Sequence, residues 1–389
     1  MTVDRPKFSE PLHVGRPNIG DRARLADRIN GALDRLWLSN DGVLVREFEE
    51  RVAALTGTRH CVTTCNATTG LQIAAQAAGI KAGDEVIVPS FTCVATAQAL
   101  AWIGVVPVFC DLEEKSAGAD PAHVEQLIGP RTRGIVGVHV FGSPCPIDPL
   151  TDVAARHGLP LLFDAAHAFG NTYLRDPIGG FGLAEVFSFH ATKFVNSFEG
   201  GAIVTNDDEF AERARTMRNM GSNGDREVVS TGTVARMHEI SAAMGLTSLD
   251  AMDEFIEVNE RNHACYLENL AAVPGVQLRS QPAGERANHQ YVVVEVDERV
   301  SGVHRDQLHA VLHANNVLAR RYFHPACHQV EPFRSRAELH APLPLPRTEA
   351  LVDRVLALPT GTSVGVEQVR GICELIADAV RDALGDVAP

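Results

Sequence analysis

A lysine stands between two apolar, strand-like segments in the middle of the chain. Lys193 follows residues 184–189 and precedes residues 202–205, which begin after the glycine pair Gly200 and Gly201. Lysine is rarely buried, so a lysine held between core strands points to a function. A lysine amine taken out of water loses its proton more readily and then attacks aldehydes. The sequence makes Lys193 a candidate Schiff-base lysine, although a loop lysine pointing into water fits this stretch equally well.

A carboxylate precedes this lysine at the end of another apolar segment. Residues 159–163 have the composition of a buried strand and end in Asp164. The carboxyl end of a parallel strand is where open α/β sheets bind their ligands. Pyridoxal phosphate needs a lysine for its aldehyde and a carboxylate that keeps its ring nitrogen protonated. Asp164 and Lys193 together therefore predict a site for pyridoxal phosphate.

Three motifs surround these two residues in one order. They read DAAHAFG from Asp164 to Gly170, SFHATK from Ser188 to Lys193, and EGGA from Glu199 to Ala202. This pattern resembles the DegT/DnrJ/EryC1/StrS family of sugar aminotransferases, and the similarity runs from about residue 37 to 249 and more faintly to about residue 336. The resemblance implies an α/β enzyme of pyridoxal-phosphate-dependent transferase fold type I, the aspartate aminotransferase type.

The resemblance also implies which residues bind the cofactor phosphate. Residues 65–69, CNATT, open a predicted helix, and amides at a helix start suit an anion. Ala67 and Thr68 match the family pair that holds the phosphate, usually Gly-Thr, and Ser188 matches a serine that contacts it. The alternatives are that Thr68 is only a helix N-cap and that the Ser188 hydroxyl only pairs with neighbouring backbone.

The residues that face the cofactor ring follow the family less closely. His167 matches a glutamine or histidine that contacts the cofactor's phenolic oxygen or ring face. Cys93 occupies the position where most members stack an aromatic side chain on the ring, and the nearest aromatic is Phe91. The stacking residue therefore stays open. His139, at the end of a predicted strand, either faces this site or is a hydrogen-bonded structural histidine.

A basic segment in the last third of the chain is a candidate substrate loop. Residues 318–333 place Arg320 beside Arg321, Tyr322 and His324. Guanidinium groups bind diphosphates well, so Arg321, Tyr322 and His324 are predicted substrate-binding residues. A solvated loop explains the same composition equally well.

The reaction implied by the family is amine transfer from an amino acid, L-glutamate, to a nucleotide-linked keto-sugar. His190 and Glu199 resemble the branch that aminates carbon 4, whose substrate would be dTDP-4-keto-6-deoxy-glucose and whose product a dTDP-4-amino-4,6-dideoxy-hexose. The carbon 3 branch more often has a tyrosine, then Pro-Gly-Lys and Gly-Asp-Gly-Gly. The alternatives are a 3-keto-sugar aminotransferase and a non-catalytic ligand-sensing homologue. A dehydratase would have histidine in place of Lys193.

The family also implies a homodimer with active sites near the interface. Residues 232–239 resemble its interface motif G-x-N-x-R/K-M-x-E, in which the asparagine reaches the partner's cofactor phosphate. Val234 stands in place of that asparagine and cannot donate a hydrogen bond. The sequence thus predicts the dimer but not this cross-subunit contact.

Composition excludes several classes of protein. The chain has 389 residues, 45% hydrophobic and 22% charged, as is usual for a soluble enzyme with a large core. The net charge of −14 disfavours nucleic acid as a partner. We expect no signal peptide and no membrane span, hence a cytoplasmic protein. The eight cysteines show no metal spacing, so we expect reduced core thiols and no metal.

Alternating strand and helix signals predict the frame that positions these residues. They indicate a mostly parallel sheet in a large domain, residues 1–250, and a smaller α+β domain, residues 251–389. No G-x-G-x-x-G follows a predicted strand, which argues against a nicotinamide-dependent Rossmann enzyme. The predicted strands are 60–64, 105–110, 134–140, 160–163, 184–189, 202–205 and 291–296, with a strand, turn and helix in 83–100. The predicted helices are 22–36, 43–55, 70–78, 148–157, 207–220, 248–270, 305–315 and 365–384.

Overall fold

The structure is a computed structural model that describes residues 6–223, 227–279 and 284–385. Its strands are β1 Leu12–His13, β2 His60–Thr64, β3 Glu85–Pro89, β4 Val106–Cys110, β5 Thr132–Val138, β6 Leu161–Asp164, β7 Thr172–Tyr173, β8 Asp176–Pro177, β9 Ala184–Ser188, β10 Gly201–Thr205, β11 Val276–Leu278, β12 Val292–Val296, β13 Val317–Leu318 and β14 Val355–Leu358. Its α-helices are α1 Arg22–Asp34, α2 Val43–Thr56, α3 Ala67–Ala77, α4 Val94–Trp102, α5 Pro121–Leu127, α6 Ile147–His157, α7 Asp208–Arg218, α8 Glu239–Asp250, α9 Met252–Leu270, α10 Glu298–Ser301, α11 Arg305–Ala314, α12 Ala337–His340, α13 Pro346–Val352 and α14 Val366–Leu384.

A seven-stranded sheet forms the centre of the molecule, in the order β2-β10-β9-β6-β5-β3-β4. The neighbours from β9 to β4 are parallel, and β10 runs antiparallel to both β9 and β2. Its strands are almost continuously buried because helices cover both faces. The predicted α/β fold is confirmed.

The parallel strands direct their carboxyl ends to one edge of the sheet. Cys93 and Lys193 lie in the segments that follow β3 and β9 at this edge, and β6 ends there in Asp164. Asp164 is the last residue of β6 and pairs with Val186 of β9. Sheet register thus brings together side chains that are far apart in the chain.

A second sheet lies in the last third of the chain. Strands β11, β12 and β14 form an antiparallel sheet whose core includes side chains of α9, α11 and α14. The predicted amino-terminal arm contains β1, which pairs in parallel with β13, and Asn18 of the arm donates to the carbonyl of Phe194 at 3.0 Å. The division into domains at residue 250 stays a prediction.

The single helix predicted over residues 248–270 is wrong. Two helices meet at Ala251, which has φ −105° and ψ 11° and so breaks the α-helical path. The helix α8 is buried nearly all round, whereas α9 has one exposed face. A helix buried on every side has no apolar and polar alternation, so no periodic pattern marks its start at Glu239.

Most other predicted boundaries differ from the structure by one to three residues. The short strands β1, β11, β13 and β14 were not predicted, because two to four residues are too few for a periodic pattern. In the described ranges, no helix combines the length and the apolar content that crossing a membrane requires.

Candidate active site

A cavity of about 710 Å³ opens at the carboxyl edge of the central sheet. Its volume lies within the range of small-molecule and cofactor sites. Eleven candidate residues of the sequence analysis line it, namely Ala67, Thr68, Cys93, Asp164, His167, Ser188, His190, Lys193, Arg321, Tyr322 and His324. The central sheet supplies the floor and the segment 321–325 supplies part of the rim. The structure therefore joins both groups of candidates in one site.

Lys193 is buried, with 8% of its surface exposed. Its Nζ donates a hydrogen bond to the Tyr291 hydroxyl at 3.1 Å. The other lysines of the chain, Lys7, Lys81 and Lys115, are all exposed. The alternative of a loop lysine in water is wrong, and Lys193 is the one lysine placed to meet a ligand inside the protein.

Asp164 lies in the same cavity with 6% of its surface exposed. The Thr96 hydroxyl donates to Oδ2 at 2.7 Å and the Ala166 amide donates to Oδ1 at 3.1 Å. Burial raises the pKa of Asp164, while these two donors and the charge of Lys193 act in the opposite direction. Both donors stabilise the charged carboxylate, the form that a protonated ring nitrogen requires.

The start of α3 forms the opposite wall. Asn66 is the N-cap, since its Oδ1 accepts from the Thr69 amide at 2.8 Å, so the reading of Thr68 as the N-cap is wrong. The first-turn amides of Ala67 and Thr68 have no partner inside the helix and can bind an anion. Gly201 allows this wall to approach the sheet, because a Cβ there would lie 2.6 Å from the Ala67 nitrogen.

Ser188 is the last residue of β9 and lines the same cavity as the start of α3. Its oxygen accepts a long hydrogen bond of 3.4 Å from the His190 amide. A hydroxyl that accepts one bond still has a proton to donate. The backbone pairing considered from the sequence is present, and it leaves the donor function of Ser188 intact.

His167 presents a neutral imidazole to the cavity. Its Nδ1 accepts from the Phe141 amide at 3.1 Å, which assigns the proton to Nε2. Burial, followed by the charge of Lys193, holds its pKa well below the ordinary value. The ring stacks against Phe141 and Phe323, with centroids 6.3 and 6.0 Å away. His167 can therefore donate a hydrogen bond from a fixed position.

Phe91 does not line the cavity. It is fully buried and makes edge contacts with the rings of Phe141 and Phe323, each with centroids 5.9 Å apart. Cys93 lines the cavity instead, and burial raises the pKa of its thiol, which keeps it uncharged. Of the two residues considered from the sequence, only Cys93 is in position to cover a cofactor ring.

The cavity rim carries polar side chains that are partly exposed to solvent. Arg321 donates from Nη1 to Asp306 Oδ1 at 3.1 Å and remains 41% exposed, so it can turn toward an anion. His324 Nδ1 lies 3.5 Å from Asp353 Oδ1. His190 and Glu199 form a further exposed pair of the lining, in which His190 Nε2 lies 3.4 Å from Glu199 Oε1.

His139 lies outside the cavity lining. It is fully buried, its Nδ1 accepts from the Cys145 amide at 3.1 Å, and its Nε2 lies 3.3 Å from Glu185 Oε2. The structural alternative given for this histidine is correct.

Sequence reasoning missed two polar residues that contact the predicted pair. Thr96 lies one turn into α4 and contacts Asp164, and Tyr291 precedes β12 and contacts Lys193. Neither belongs to a recognisable motif. The one available signal was the hydroxyl of Tyr291 at the start of an otherwise apolar strand.

The donor set fits pyridoxal phosphate. A buried lysine, a hydrogen-bonded carboxylate and unused amides at a helix start line one cavity, which matches the aldehyde, ring nitrogen and phosphate of that cofactor. Among the residues that the structure describes, no cluster of three or more histidine, cysteine, aspartate or glutamate side chains could hold a metal ion.

Comparisons with known proteins agree with this arrangement. The model of the DegT/DnrJ/EryC1/StrS aminotransferase family matches residues 20–377. GDP-perosamine synthase of Caulobacter vibrioides is 34% identical over 371 residues, which are 91% of this chain and 98% of that protein. The dTDP-4-amino-4,6-dideoxy-D-glucose transaminase of Escherichia coli is 31% identical over 373 residues, 94% of this chain and 98% of that protein.

A solved structure is also similar over nearly the whole chain. It is the crystal structure of DesI in the presence of its TDP-sugar product, with a TM-score of 0.93 and 52% identity. The match covers 97% of this chain and 95% of that one.

Proposed function

The chain belongs to the DegT/DnrJ/EryC1/StrS family of pyridoxal-phosphate-dependent nucleotide-sugar aminotransferases, and we propose that it moves an amine from L-glutamate to carbon 4 of dTDP-4-keto-6-deoxy-glucose. The observation that carries the proposal is the placement of Lys193 and Asp164, both buried, in one cavity of about 710 Å³ whose rim bears Arg321. The product would be a dTDP-4-amino-4,6-dideoxy-hexose.

When bound, pyridoxal phosphate supplies an aldehyde that takes the amine and a ring that withdraws electrons. Around it, the first-turn amides of α3 and the Ser188 hydroxyl would hold the phosphate. Asp164 would keep its charge opposite the ring nitrogen, and His167 would donate from Nε2 to the phenolic oxygen. The Lys193 amine would take a proton at Nζ from the amine-bearing substrate carbon and return it to the cofactor carbon on the other side of the transferred nitrogen.

We propose that the rim binds the diphosphate of the substrate. Arg321 is the only guanidinium among the described residues that line the cavity. Its ion pair with Asp306 is solvent-exposed, so Arg321 can exchange Asp306 for a phosphate group of the substrate. Tyr322 and His324 flank it in the same rim. Guanidinium groups bind phosphate oxygens with strong, directed hydrogen bonds.

Arg321→Gln should raise KM for the nucleotide sugar about ten- to a hundredfold with kcat little changed, because a hydrogen bond to a charged group contributes roughly 1.5–3 kcal/mol. Steady-state kinetics with the sugar varied at saturating glutamate measures this. Arg320→Gln is the matched control, because Arg320 pairs through its backbone with Ala357 and does not line the cavity. Equal KM values in the two variants would remove Arg321 from the substrate site.

The choice of carbon 4 depends on the residues beside the lysine. His190 and Glu199 form a polar pair in the cavity lining, where a sugar ring would lie against them. Moving the ketone by one carbon turns the ring against these side chains, and a displacement of about 1 Å can cost about a hundredfold in rate. The name of the Escherichia coli relative, a dTDP-4-amino-4,6-dideoxy-D-glucose transaminase, supports a dTDP-linked 4-amino sugar as the product class.

The experiment is incubation of the holoenzyme with glutamate and a panel of dTDP- and GDP-linked 3-keto and 4-keto sugars. Mass spectrometry detects amine gain, and proton NMR of the product locates the nitrogen. We expect an amine on carbon 4 of the dTDP-4-keto sugar. Turnover of a 3-keto isomer alone would refute the regiochemistry, and preference for the GDP sugars would refute the nucleotide.

We propose further that the protein is a homodimer with its active sites near the interface. Several apolar side chains are exposed in and around the expected interface segment, among them Val228, Val229 and Val234. A cluster of exposed apolar side chains is typical of a surface that contacts another protein. Val234 offers no hydrogen-bond donor to a partner's cofactor phosphate. Light scattering at working concentration should give twice the chain mass of 41.9 kDa, and the single-chain mass would contradict the proposal.

A further inference from the structure

Lys193 has a partner that comes from the other sheet of the molecule. Its Nζ donates to Tyr291 Oη at 3.1 Å and lies 5.4 Å from the centroid of that ring. Across the described ranges, this is the one hydrogen bond found for Nζ. Tyr291 is 98 residues away in the chain, immediately before β12. The lysine is thus held across the junction between the two sheets.

The position of Tyr291 is fixed by the loop that carries His167. The side-chain amide of the preceding residue, Gln290, donates to the His167 carbonyl at 2.6 Å, and Asn288 donates to the same carbonyl at 3.0 Å. The Tyr291 ring also packs against the His167 ring, with centroids 4.5 Å apart. These contacts tie the hydroxyl to the central sheet, although Tyr291 directly precedes a strand of the second sheet.

Aromatic side chains restrain the ring from its remaining sides. Phe141 lies 5.9 Å from it in a tilted contact, and Tyr322 lies 6.2 Å from it edge-on. A ring packed in this way has little freedom to rotate, so its hydroxyl is presented at one place in the cavity.

We propose that Tyr291 is the residue that positions the Lys193 amine while that amine moves protons. A phenol hydroxyl both accepts and donates hydrogen bonds. It accepts a hydrogen from Nζ when the lysine is an ammonium ion, and it donates to the Nζ lone pair when the lysine is a neutral amine. The contact therefore persists in both protonation states, and Tyr291 itself neither gains nor loses a proton.

The inference rests on Lys193 as the amine-bearing residue of the proposed function, and it does not depend on which sugar is used. A flexible lysine released into a cavity can adopt many rotamers, and ordering them costs free energy at each turnover. A fixed hydroxyl within 3.1 Å reduces that freedom in advance. The fixed position of the amine therefore increases the rate of the proton-transfer step and leaves substrate affinity unchanged.

The test is Tyr291→Phe, which keeps the ring and its packing and removes only the hydroxyl. The expected result is a fall in kcat of about ten- to a hundredfold, with KM for glutamate and for the sugar within about twofold. Tyr173→Phe is the matched control, since the Tyr173 hydroxyl bonds to Asp148 at 3.0 Å outside the cavity. A kcat within about twofold of the parent enzyme would overturn the proposal.

A second measurement reads the contact without turnover. The full chain is freed of cofactor with cysteine, and reductive methylation of each lysine is followed by peptide mass spectrometry. The Lys193 amine must leave its hydrogen bond with Tyr291 before it can react, and this requirement slows labelling. In the Tyr291→Phe variant the bond is absent, so Lys193 should be labelled about tenfold faster. The exposed Lys81 and Lys115 serve as internal references. Unchanged labelling of Lys193 would refute the contact even if kcat fell.

The two measurements separate this inference from the proposed function. The fall in rate can also be measured in the half-reaction with glutamate alone. This half-reaction and the labelling both proceed without a sugar substrate. If the keto-sugar panel gives a different product, Tyr291→Phe must still show slower glutamate turnover and faster labelling of Lys193. If these are absent, the tyrosine proposal is wrong while the product assignment stands.

Discussion

Lys193→Ala should abolish amine transfer, with kcat reduced at least about a thousandfold. The variant loses both the amine that attacks the aldehyde and the base that moves the proton, and general base catalysis alone contributes roughly 10²- to 10⁴-fold. The lost side chain lies in an open cavity, so the fold should persist. Release of 2-oxoglutarate from glutamate in a coupled assay measures the loss, and circular dichroism checks the fold.

The control for this variant is Lys81→Ala, which removes an exposed lysine and should leave the rate unchanged. Borohydride reduction of the holoenzyme gives an independent readout, because it fixes the cofactor to the lysine that holds it. The sequence has only four lysines, Lys7, Lys81, Lys115 and Lys193, so peptide mass spectrometry assigns the site without ambiguity. A label on any of the first three would exclude the assignment of Lys193.

Asp164→Asn should reduce kcat about a hundredfold or more, the size of effect seen when a preorganised charge is removed from a site. Asparagine preserves the shape of the side chain, and its Oδ1 can still accept a hydrogen bond. The missing property is the negative charge opposite the ring nitrogen. Stopped-flow absorbance of the glutamate half-reaction measures the change. A rate within about threefold of the parent would remove the electrostatic role of Asp164.

The pH dependence supplies a second check on the same carboxylate. Activity requires charged Asp164, and burial raises its pKa, so activity should fall on the acid side at a higher pH than an exposed aspartate would give. The Thr96 hydroxyl lowers this pKa through its hydrogen bond to Oδ2. Thr96→Val removes that bond at nearly constant volume, and the acid limb of kcat should therefore move to higher pH. An acid limb that moves to lower pH would contradict this role of Thr96.

Local pattern was sufficient for the central sheet and for the two residues with the most specific chemistry. The strand β2 has the predicted bounds, β9 and β10 differ from prediction by one residue at one end, and β6 is shifted by one residue at both ends. Buried parallel strands consist of short apolar runs, so a carboxylate that ends such a run, or a lysine that lies between two of them, is conspicuous in the sequence. Asp164 and Lys193 could be proposed as site residues from the sequence, and the family motifs around them extended the proposal to Ser188, His167 and Thr68, all of which line the cavity.

The sequence could not say which side chains would meet across long distances in the chain. Tyr291 reaches Lys193 over 98 residues and Thr96 reaches Asp164 over 68 residues. Spacing within one element reports only which residues share a face of that element. Contacts between elements depend on how whole sheets and helices pack, which single residues do not encode.

By itself, then, the sequence determined the family and the cofactor through its motifs, and it singled out Asp164 and Lys193 as the residues proposed to give the site its chemistry, because a polar residue beside an apolar run is a local feature. The tertiary structure decided the roles for which the sequence left alternatives. It placed His139 in the core rather than the cavity, gave the N-cap of α3 to Asn66 rather than Thr68, and buried Phe91 behind the site so that Cys93 lines it. Each of these depends on which neighbouring element occupies the space beside a side chain, and that is fixed only when all the elements pack together.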